Sequence, residues 1–410
     1  LMIRDIVKLV NNLEIDKLKK MQFELKDVMD LISKFIIKKK LILYGGLVIN
    51  LILPKKYRFY KDYTINDYDC YSKSPFQDSL ELAKMIKKKG YTYIKIRNAK
   101  HIGTYKVSVF GKQIFDISML DIDTYNKYLK FSNMEKKTLK YYNDKYKIIP
   151  FDIIKQNLYF ELARPEQSGY RWEKIYDRLN ILIKVYPTMR SVKNYKCLPI
   201  DNEYKKIVTN LLKYIKNNKN PIIDSYPLKL YNKSSNCCFR LNEESTYITI
   251  MSEKYKVAKK DIIKIIKEEL NKDDCEIILQ HNMINTNNIL PSYNIKIKNN
   301  KTNKIFNIIK IILVKNECFS INIIDDYSIG SVDTILYFLY TEYISNRIYN
   351  NDNEKSQETL YYINQFEDYI NAKLKNNVEK RLNSVCYGKI NDESIIREMW
   401  KKKMTLKYIS

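Results

Sequence analysis

Glycine and proline are scarce in this 410-residue chain, at 8 and 9 residues. So few breakers exclude a collagen-like or linker-dominated protein. The two histidines, His101 and His281, are too few for a His-rich zinc centre and argue against a histidine-based catalytic triad. The seven cysteines (Cys70, Cys197, Cys237, Cys238, Cys275, Cys318 and Cys386) contain no Cys-x-x-Cys spacing. An odd, scattered set of this kind points to reduced thiols. No apolar run approaches the ~20 residues that a membrane helix needs. The run from Leu47 is interrupted at Asn50 and stopped by Pro54, and the run from Ile305 to Val314 is broken by Lys310. The first residues show neither the apolar core nor the small-residue cleavage site of a secretory signal.

What the chain does have is a sizeable apolar fraction, 45%, beside 29% charged residues. That composition can bury a core, which excludes a disordered tail protein. Its length is more than one core usually supports, so two or more domains are expected. The 73 Lys and Arg outnumber the 47 Asp and Glu, leaving a formal charge of +26. A polyanion, nucleic acid ahead of an acidic membrane surface, is the natural partner. An AT-rich genome, which inflates Lys, Ile, Asn and Tyr, is a second source of the same bias, compatible with the first.

Hydrophobic spacing predicts one or two helices over 3–39, on Ile6, Leu9, Val10 and Leu13 and then Leu25, Val28, Leu31, Ile32 and Ile36. A strand at 41–44 runs into Gly45-Gly46 and a short helix, 47–53. A basic aromatic loop follows, from Lys55 to Lys61, and then a strand, 67–72. Ser74-Pro75 has helix-start chemistry, and Gly90 ends that helix. Strands are expected at 91–97, 105–110 and 113–119, and helices at 152–160 and 168–186. Past residue 188 the chain turns Lys/Asn-rich. The expected domains are therefore 1–188 and 189–410. In the second, helices are predicted at 203–216, 253–271, 331–348 and 355–373, and strands at 246–251, 275–280, 293–298, 304–313 and 318–324. The order strand, Lys-rich helix, strand, hairpin occurs in both halves. Aligned through Ser72 and Ser252, Tyr247 replaces Asp67, Thr249 replaces Asp69 and Asn307 replaces Asp116, so the second copy loses its acids.

Three of those acids define a candidate site. Residues i and i+2 of a strand share a face, so Asp67 and Asp69 present their carboxylates together. If the limb carrying Asp116 pairs beside them, three like charges converge and resist joint ionisation. A divalent cation relieves that repulsion, and Mg²⁺ binds through a few carboxylates plus phosphate oxygens. Gly45-Gly46 supplies a turn at which backbone can approach a phosphate, at the N-terminus of a helix. Asp121, within a second Asp-x-Asp (Asp121-Ile122-Asp123), competes with Asp116 for the third place. Each piece alone is ordinary; the order is what points to chemistry.

That order resembles the polymerase β-type nucleotidyltransferase superfamily, with 20 residues (47–66) between the glycine pair and Asp67. Tyr44-Gly45-Gly46, the run from Asn66 to Ser72, Phe115-Asp116-Ile117-Ser118 and the run from Arg164 to Lys174 resemble, more narrowly, the poly(A) polymerase catalytic subunits of large cytoplasmic DNA viruses, mimivirus-like and poxvirus-like. The resemblance implies an α+β fold: a polymerase β-like nucleotidyltransferase domain with N-terminal helices, then a degenerate nucleotidyltransferase-like domain. It implies metal-dependent, template-independent transfer of AMP from ATP to mRNA 3′ ends. Asp67, Asp69 and Asp116 would be catalytic and hold two Mg²⁺ or Mn²⁺ ions, and Asp116 would help the RNA 3′-hydroxyl lose its proton. Gly45, Gly46, Ser168 and Lys174 would bind the nucleotide, with Ser168-Gly169 opening a helix that carries Lys174. Tyr170 could stack on adenine, although packing beside Trp172 is the plainer reading. RNA would follow basic runs such as Lys38–Lys40, Lys55–Lys61, Lys87–Lys89 and Lys401–Lys403, with Tyr and Phe stacking on bases. A homodimer, action in a cytoplasmic virus factory and packaging in the virion are implied, with no membrane partner. The alternatives are a CCA-adding or oligoadenylate-type transferase, or a catalytically dead RNA-binding scaffold.

Overall fold

The computed structural model describes residues 3–61, 64–99, 103–135, 145–193, 195, 202–231, 248–270, 275–282, 290–374, 377–382, 384–390 and 407–409. His101, Tyr247, Cys197, Cys237, Cys238 and the run Lys401–Lys403 lie outside them. The chain forms two compact units, Leu1–Ile154 with Glu393–Ser410, and Lys155–Asp392. The expected boundary at residue 188 lies within the second by this division.

The first unit begins with one helix, α1 (Ile3–Lys39), where the periodicity allowed one or two. Only its C-terminal half is core: Leu25, Val28, Ile32, Phe35 and Ile36 are buried. The earlier stripe of Ile6, Leu9, Val10 and Leu13 is exposed. Then come β1 (Ile42–Tyr44), α2 (Gly45–Ile52), β2 (Tyr68–Ser72), α3 (Pro75–Lys88), β3 (Ile94–Asn98), β4 (Thr104–Val109), β5 (Lys112–Met119), α4 (Ile122–Glu135) and β6 (Lys147–Ile148). One sheet gathers the strands in the order β3-β4-β5-β2-β1-β6, with Lys407–Ile409 added at the β3 edge. β2 runs parallel to β5, and β4 antiparallel to it. The apolar face of α3, with Leu82, Ala83 and Ile86 buried, lies over β3, β4 and β5. At the start of α3, Pro75 holds its expected place, but Ser74 makes no side-chain cap. Instead Ser72 Oγ accepts the Ser74 N–H at 2.8 Å and donates to Asp78, joining the end of β2 to the helix.

The second unit opens within α5 (Phe151–Leu162) and continues through α6 (Pro165–Ser168), α7 (Trp172–Val185), α8 (Asn202–Asn217) and α9 (Pro227–Tyr231). Next are β7 (Ile248–Ser252), α10 (Tyr255–Glu269), β8 (Cys275–Asn282), β9 (Ser292–Asn299), β10 (Ile305–Leu313), β11 (Phe319–Ile324) and β12 (Tyr327–Gly330). It closes with α11 (Val332–Ile344), α12 (Asn353–Tyr369), α13 (Val378–Arg381) and β13 (Cys386–Tyr387). Cys318 and Cys386 form a disulfide, because β11 and β13 pair at Ser320 and Cys386 and bring the two Cα atoms to 5.4 Å. The expectation of reduced thiols therefore fails at this pair.

The strand order β7-β10-β9-β8 repeats β2-β5-β4-β3, with the same parallel and antiparallel senses. Each hairpin carries a bulge at the same place, Ile114 in β5 and Ile308 in β10. This register corrects the repeat read from sequence. Asp116 lies opposite Asp69, and Lys310 lies opposite Thr249. Lys310, not Asn307, therefore takes the place of Asp116; matching Ile-Phe-Asp to Ile-Phe-Asn sets the strand three residues out. Pro221–Ile223 runs beside β7 as β1 runs beside β2, which puts Asp224 where the first unit has Gly45. The Asp224 carboxylate accepts the N–H groups of Thr249 and Tyr226 and fills that position.

A buried ion pair holds α13 to α11 within the second unit. Arg381 donates to Asp333 at 2.7 and 3.1 Å, with side-chain exposures of 2% and 1%. Removing one partner strands a buried charge, whereas removing both does not. Arg381→Met is expected to destabilise this unit by about 3 kcal/mol or more, and Arg381→Met with Asp333→Leu by far less. Urea unfolding of the two variants checks this; equal losses would contradict it.

Candidate active site

The site is one row of side chains across the sheet. Tyr44 on β1 pairs with Asp69 on β2, Asp69 with Asp116 on β5, Asp116 with Lys106 on β4, and Lys106 with Arg97 on β3. Residues in register on neighbouring strands point to the same face. Asp67, two residues before Asp69 and just ahead of β2, joins them. Ligand oxygens of Asp67, Asp69 and Asp116 lie within 4.8 Å of one another. Tyr68 and Cys70 alternate to the other face, where Cys70 is fully buried.

Neighbours hold the acids in place. Lys106 Nζ donates to Asp116 Oδ2 at 2.6 Å, and Gln113 Nε2 donates to Asp67 Oδ2 at 3.3 Å. The Tyr44 hydroxyl is 2.9 Å from Ser118 Oγ, itself 2.9 Å from Thr104 Oγ1, so hydrogen bonds link β1, β5 and β4. Burial lifts the Asp116 carboxyl above the ordinary carboxylate range; Lys106 opposes the rise, Asp67 adds to it and Arg97 opposes it. Burial, with the nearby Asp69 and Asp116, also pushes the Cys70 thiol well up.

Gly45 closes the site. Its φ is +76°, and a Cβ there would stand 2.3 Å from Asp69 Oδ2. A side chain at this position meets both a backbone penalty and the carboxylate. α2 starts at Gly45 with no side-chain cap, so its first amides are not taken by a side chain at its N-cap. The inserted loop is fastened to α2 by Asn50 Oδ1, which accepts the N–H groups of Phe59 and Tyr60 at 3.0 and 3.1 Å. Lys55, Lys56, Arg58 and Lys61 remain exposed around it.

These residues fit a divalent cation. Asp116 Oδ1 is buried and has no hydrogen-bond partner among the described residues, in a cluster whose charges repel. Three carboxylates of this kind are hard oxygen ligands suited to Mg²⁺ or Mn²⁺.

The remaining expected residues fall differently. Asp121 is spoken for: its Oδ1 accepts the Thr124 N–H at 2.9 Å and caps α4. Lys39 bridges Asp78 and Glu81 at 3.0 and 2.6 Å, so within Lys38–Lys40 it serves the fold. Ser168 and Lys174 belong to the second unit. Ser168 ends α6 and is 2% exposed, and the helix carrying Lys174 starts at Trp172 after a 3₁₀ turn, not at Ser168-Gly169. Lys174 is exposed on the first turn of α7. Tyr170 is 86% exposed, which rules out core packing beside Trp172. Lys106, Gln113 and the Tyr44–Ser118–Thr104 bonds were not foreseen. Plain counting around the hairpin turn sets Tyr105 opposite Asp116, and the bulge at Ile114 moves Lys106 there instead.

Residues 30–168 match the family model of the poly(A) polymerase catalytic subunit. Proteins assigned as that subunit in Acanthamoeba polyphaga mimivirus and in African swine fever virus (strain Badajoz 1971 Vero-adapted) are 27% and 30% identical over 169 and 171 residues. Each match covers 40% of this chain and only 27% and 34% of the relative. The chain thus matches about a third or less of these relatives' length. The fold is similar along its whole length to the Megavirus polyadenylate synthase, with a TM-score of 0.79 at 18% identity, covering 99% of this chain and 84% of that one. The resemblance read from the motifs holds over residues 30–168, and the α+β fold with a nucleotidyltransferase core is borne out.

Gly90, with φ +89° and nothing within 4 Å of an added Cβ, separates the two penalties at Gly45. Gly90→Ala and Gly45→Ala are both expected to lose about 1 kcal/mol from backbone strain. Gly45→Ala should additionally displace Asp69 and weaken Mn²⁺ binding. Thermal unfolding with Mn²⁺ titration checks this; unchanged Mn²⁺ binding in Gly45→Ala would contradict the close approach.

Proposed function

We propose that this chain is a polynucleotide adenylyltransferase that extends mRNA 3′ ends with AMP from ATP, without a template. The observation that carries this reading is the convergence of Asp67, Asp69 and Asp116 beside Gly45. Matches to viral poly(A) polymerase catalytic subunits over the same stretch support it.

In this reading Asp67, Asp69 and Asp116 would hold two Mg²⁺ or Mn²⁺ ions, which would supply activation of the attacking hydroxyl and charge neutralisation for the leaving pyrophosphate. Asp116 receives the proton of the RNA 3′-hydroxyl as that oxygen bonds to the α-phosphorus of ATP and the bond to pyrophosphate breaks. Gly45, Gly46 and the first amides of α2 take the triphosphate, since only a position without a side chain leaves room beside Asp69. Roles for Ser168 and Lys174 toward the nucleotide rest on the resemblance alone.

The catalytic domain is read as residues 1–188 and the remainder, 189–410, as a degenerate transferase-like domain. Thr249, Lys310 and Asp224 stand there where the first unit has Asp69, Asp116 and Gly45, so it has lost both acids and the glycine turn. It is read as inactive and structural, lining an RNA path. Self-association as a homodimer, work in a cytoplasmic virus factory and packaging in the virion belong to the same proposal. No helix among the described residues is long and apolar enough to cross a membrane.

Primer extension with an RNA oligonucleotide, Mg²⁺ or Mn²⁺ and each nucleoside triphosphate singly tests it. ATP alone should give long 3′-linked products, and Asp67→Ala with Asp69→Ala should lower incorporation by more than about a hundredfold while leaving RNA binding in place. Products from CTP, or 2′-linked products, would point to a CCA-adding or oligoadenylate-type enzyme. Incorporation at background by parent and variant alike would leave only an RNA-binding scaffold. With a charge of +26, RNA affinity should fall steeply as salt rises. A flat response in a filter-binding titration would remove the basic-surface part of the reading.

A further inference from the structure

The row through the acids continues into two bases, Lys106 and then Arg97. Lys106 Nζ takes one oxygen of Asp116 at 2.6 Å, with side-chain exposures of 26% and 10%. The other oxygen, Oδ1, has no hydrogen-bond partner among the described residues. Asp116 is thus divided: one oxygen is bound to an ammonium group, and the other has no hydrogen bond among the described residues. A pair this sheltered is screened by solvent far less than a surface pair.

The second unit supplies an internal comparison. It has the same strands, the same bulge and the same register, but its row reads Thr249, Lys310, Asn294, Gln280. Where the acids are gone, Lys106 is replaced by Asn294 and Arg97 by Gln280. Holding the hairpin together therefore does not require a base at these places. Lys106 goes with the acids.

We propose that Lys106 is a positioning residue with a second role: it holds Asp116 among the other acids before cations arrive, and it opposes their binding. Without a counter-charge the three carboxylates repel, and Asp116 turns away until a cation supplies one. The Lys106 ammonium supplies that counter-charge and keeps Asp116 aimed at its neighbours. The same positive charge repels an arriving divalent ion and already occupies one oxygen of Asp116. Lys106 thereby sets the cation concentration at which the site fills and keeps the empty site from holding ions too tightly. This rests on reading the acids as a cation site.

The experiment uses the full chain without RNA or ATP, and Mn²⁺ alone as the probe, followed by electron paramagnetic resonance of the free ion. Lys106→Met, which keeps the side chain's length and removes its charge, should bind Mn²⁺ about tenfold more tightly than the parent. It should also unfold at a lower temperature without Mn²⁺ and recover more of that loss when Mn²⁺ is added. Lys106→Arg should stay near the parent in both. General damage to the site would weaken Mn²⁺ binding, so the direction of the change separates the proposal from a merely structural role. Affinity equal to or weaker than the parent's in Lys106→Met, or Met-like behaviour of Lys106→Arg, overturns it. Asp67→Ala with Asp69→Ala distinguishes the two levels. If the parent binds Mn²⁺ no better than this variant, the cation site fails and the role of Lys106 with it. If the parent binds better but Lys106→Met matches the parent, the role of Lys106 alone fails.

Discussion

Three carboxylates with ligand oxygens within 4.8 Å of one another repel at neutral pH, and the first unit is built around holding them there. The parallel pairing of β2 and β5 fixes Asp69 opposite Asp116, and strand alternation turns Asp67 the same way. Lys106 and Gln113 each take one oxygen. Gly45 gives up its side chain so that Asp69 can lie against the turn. Each arrangement costs stability on its own terms: a positive φ, a buried carboxylate, a buried oxygen without a partner. Such a concentration of local costs is what a site held ready for cations and phosphate is expected to show.

The second unit shows what the same framework does when that requirement is lifted. Its sheet repeats the strand order and even the bulge, so the fold does not depend on the acids. With Thr249 and Lys310 in the row, the repulsion is gone. The turn then has no need for glycine, and Asp224 takes its place, bonded to backbone amides of its own unit. The glycine, the acids and the bases change together, as one physical problem being present in one unit and absent from the other would require.

Much of this was legible in the sequence because it depends on local periodicity. Asp67 and Asp69 two apart, the glycine pair between strand and helix, and the third acid on a hairpin limb are short-range patterns, and the elements around them lie within a few residues of expectation. What escaped depends on register and burial. The bulge at Ile114 has no sequence signature, yet it decides that Lys106 and not Tyr105 faces Asp116. The motif match of Ile-Phe-Asn to Ile-Phe-Asp misplaces the repeat for another reason: the pairing of β10 with β7, which no motif encodes, sets Lys310 and not Asn307 opposite Thr249. The stripe at Ile6, Leu9, Val10 and Leu13 has helical spacing but is exposed, because periodicity reveals a face and not what covers it. Ser168 looked like a helix opener and is a buried helix end. Cys318 and Cys386, 68 residues apart, meet only through the pairing of β11 with β13.

The most direct test of the central claim is a crystal structure of the chain with Mn²⁺ and a non-hydrolysable ATP analogue, with ions located by anomalous scattering. The account predicts two Mn²⁺ peaks about 4 Å apart among Asp67, Asp69 and Asp116, with the triphosphate lying over Gly45 and Gly46. Mn²⁺ bound elsewhere, or three carboxylates that part when the nucleotide is present, would contradict it.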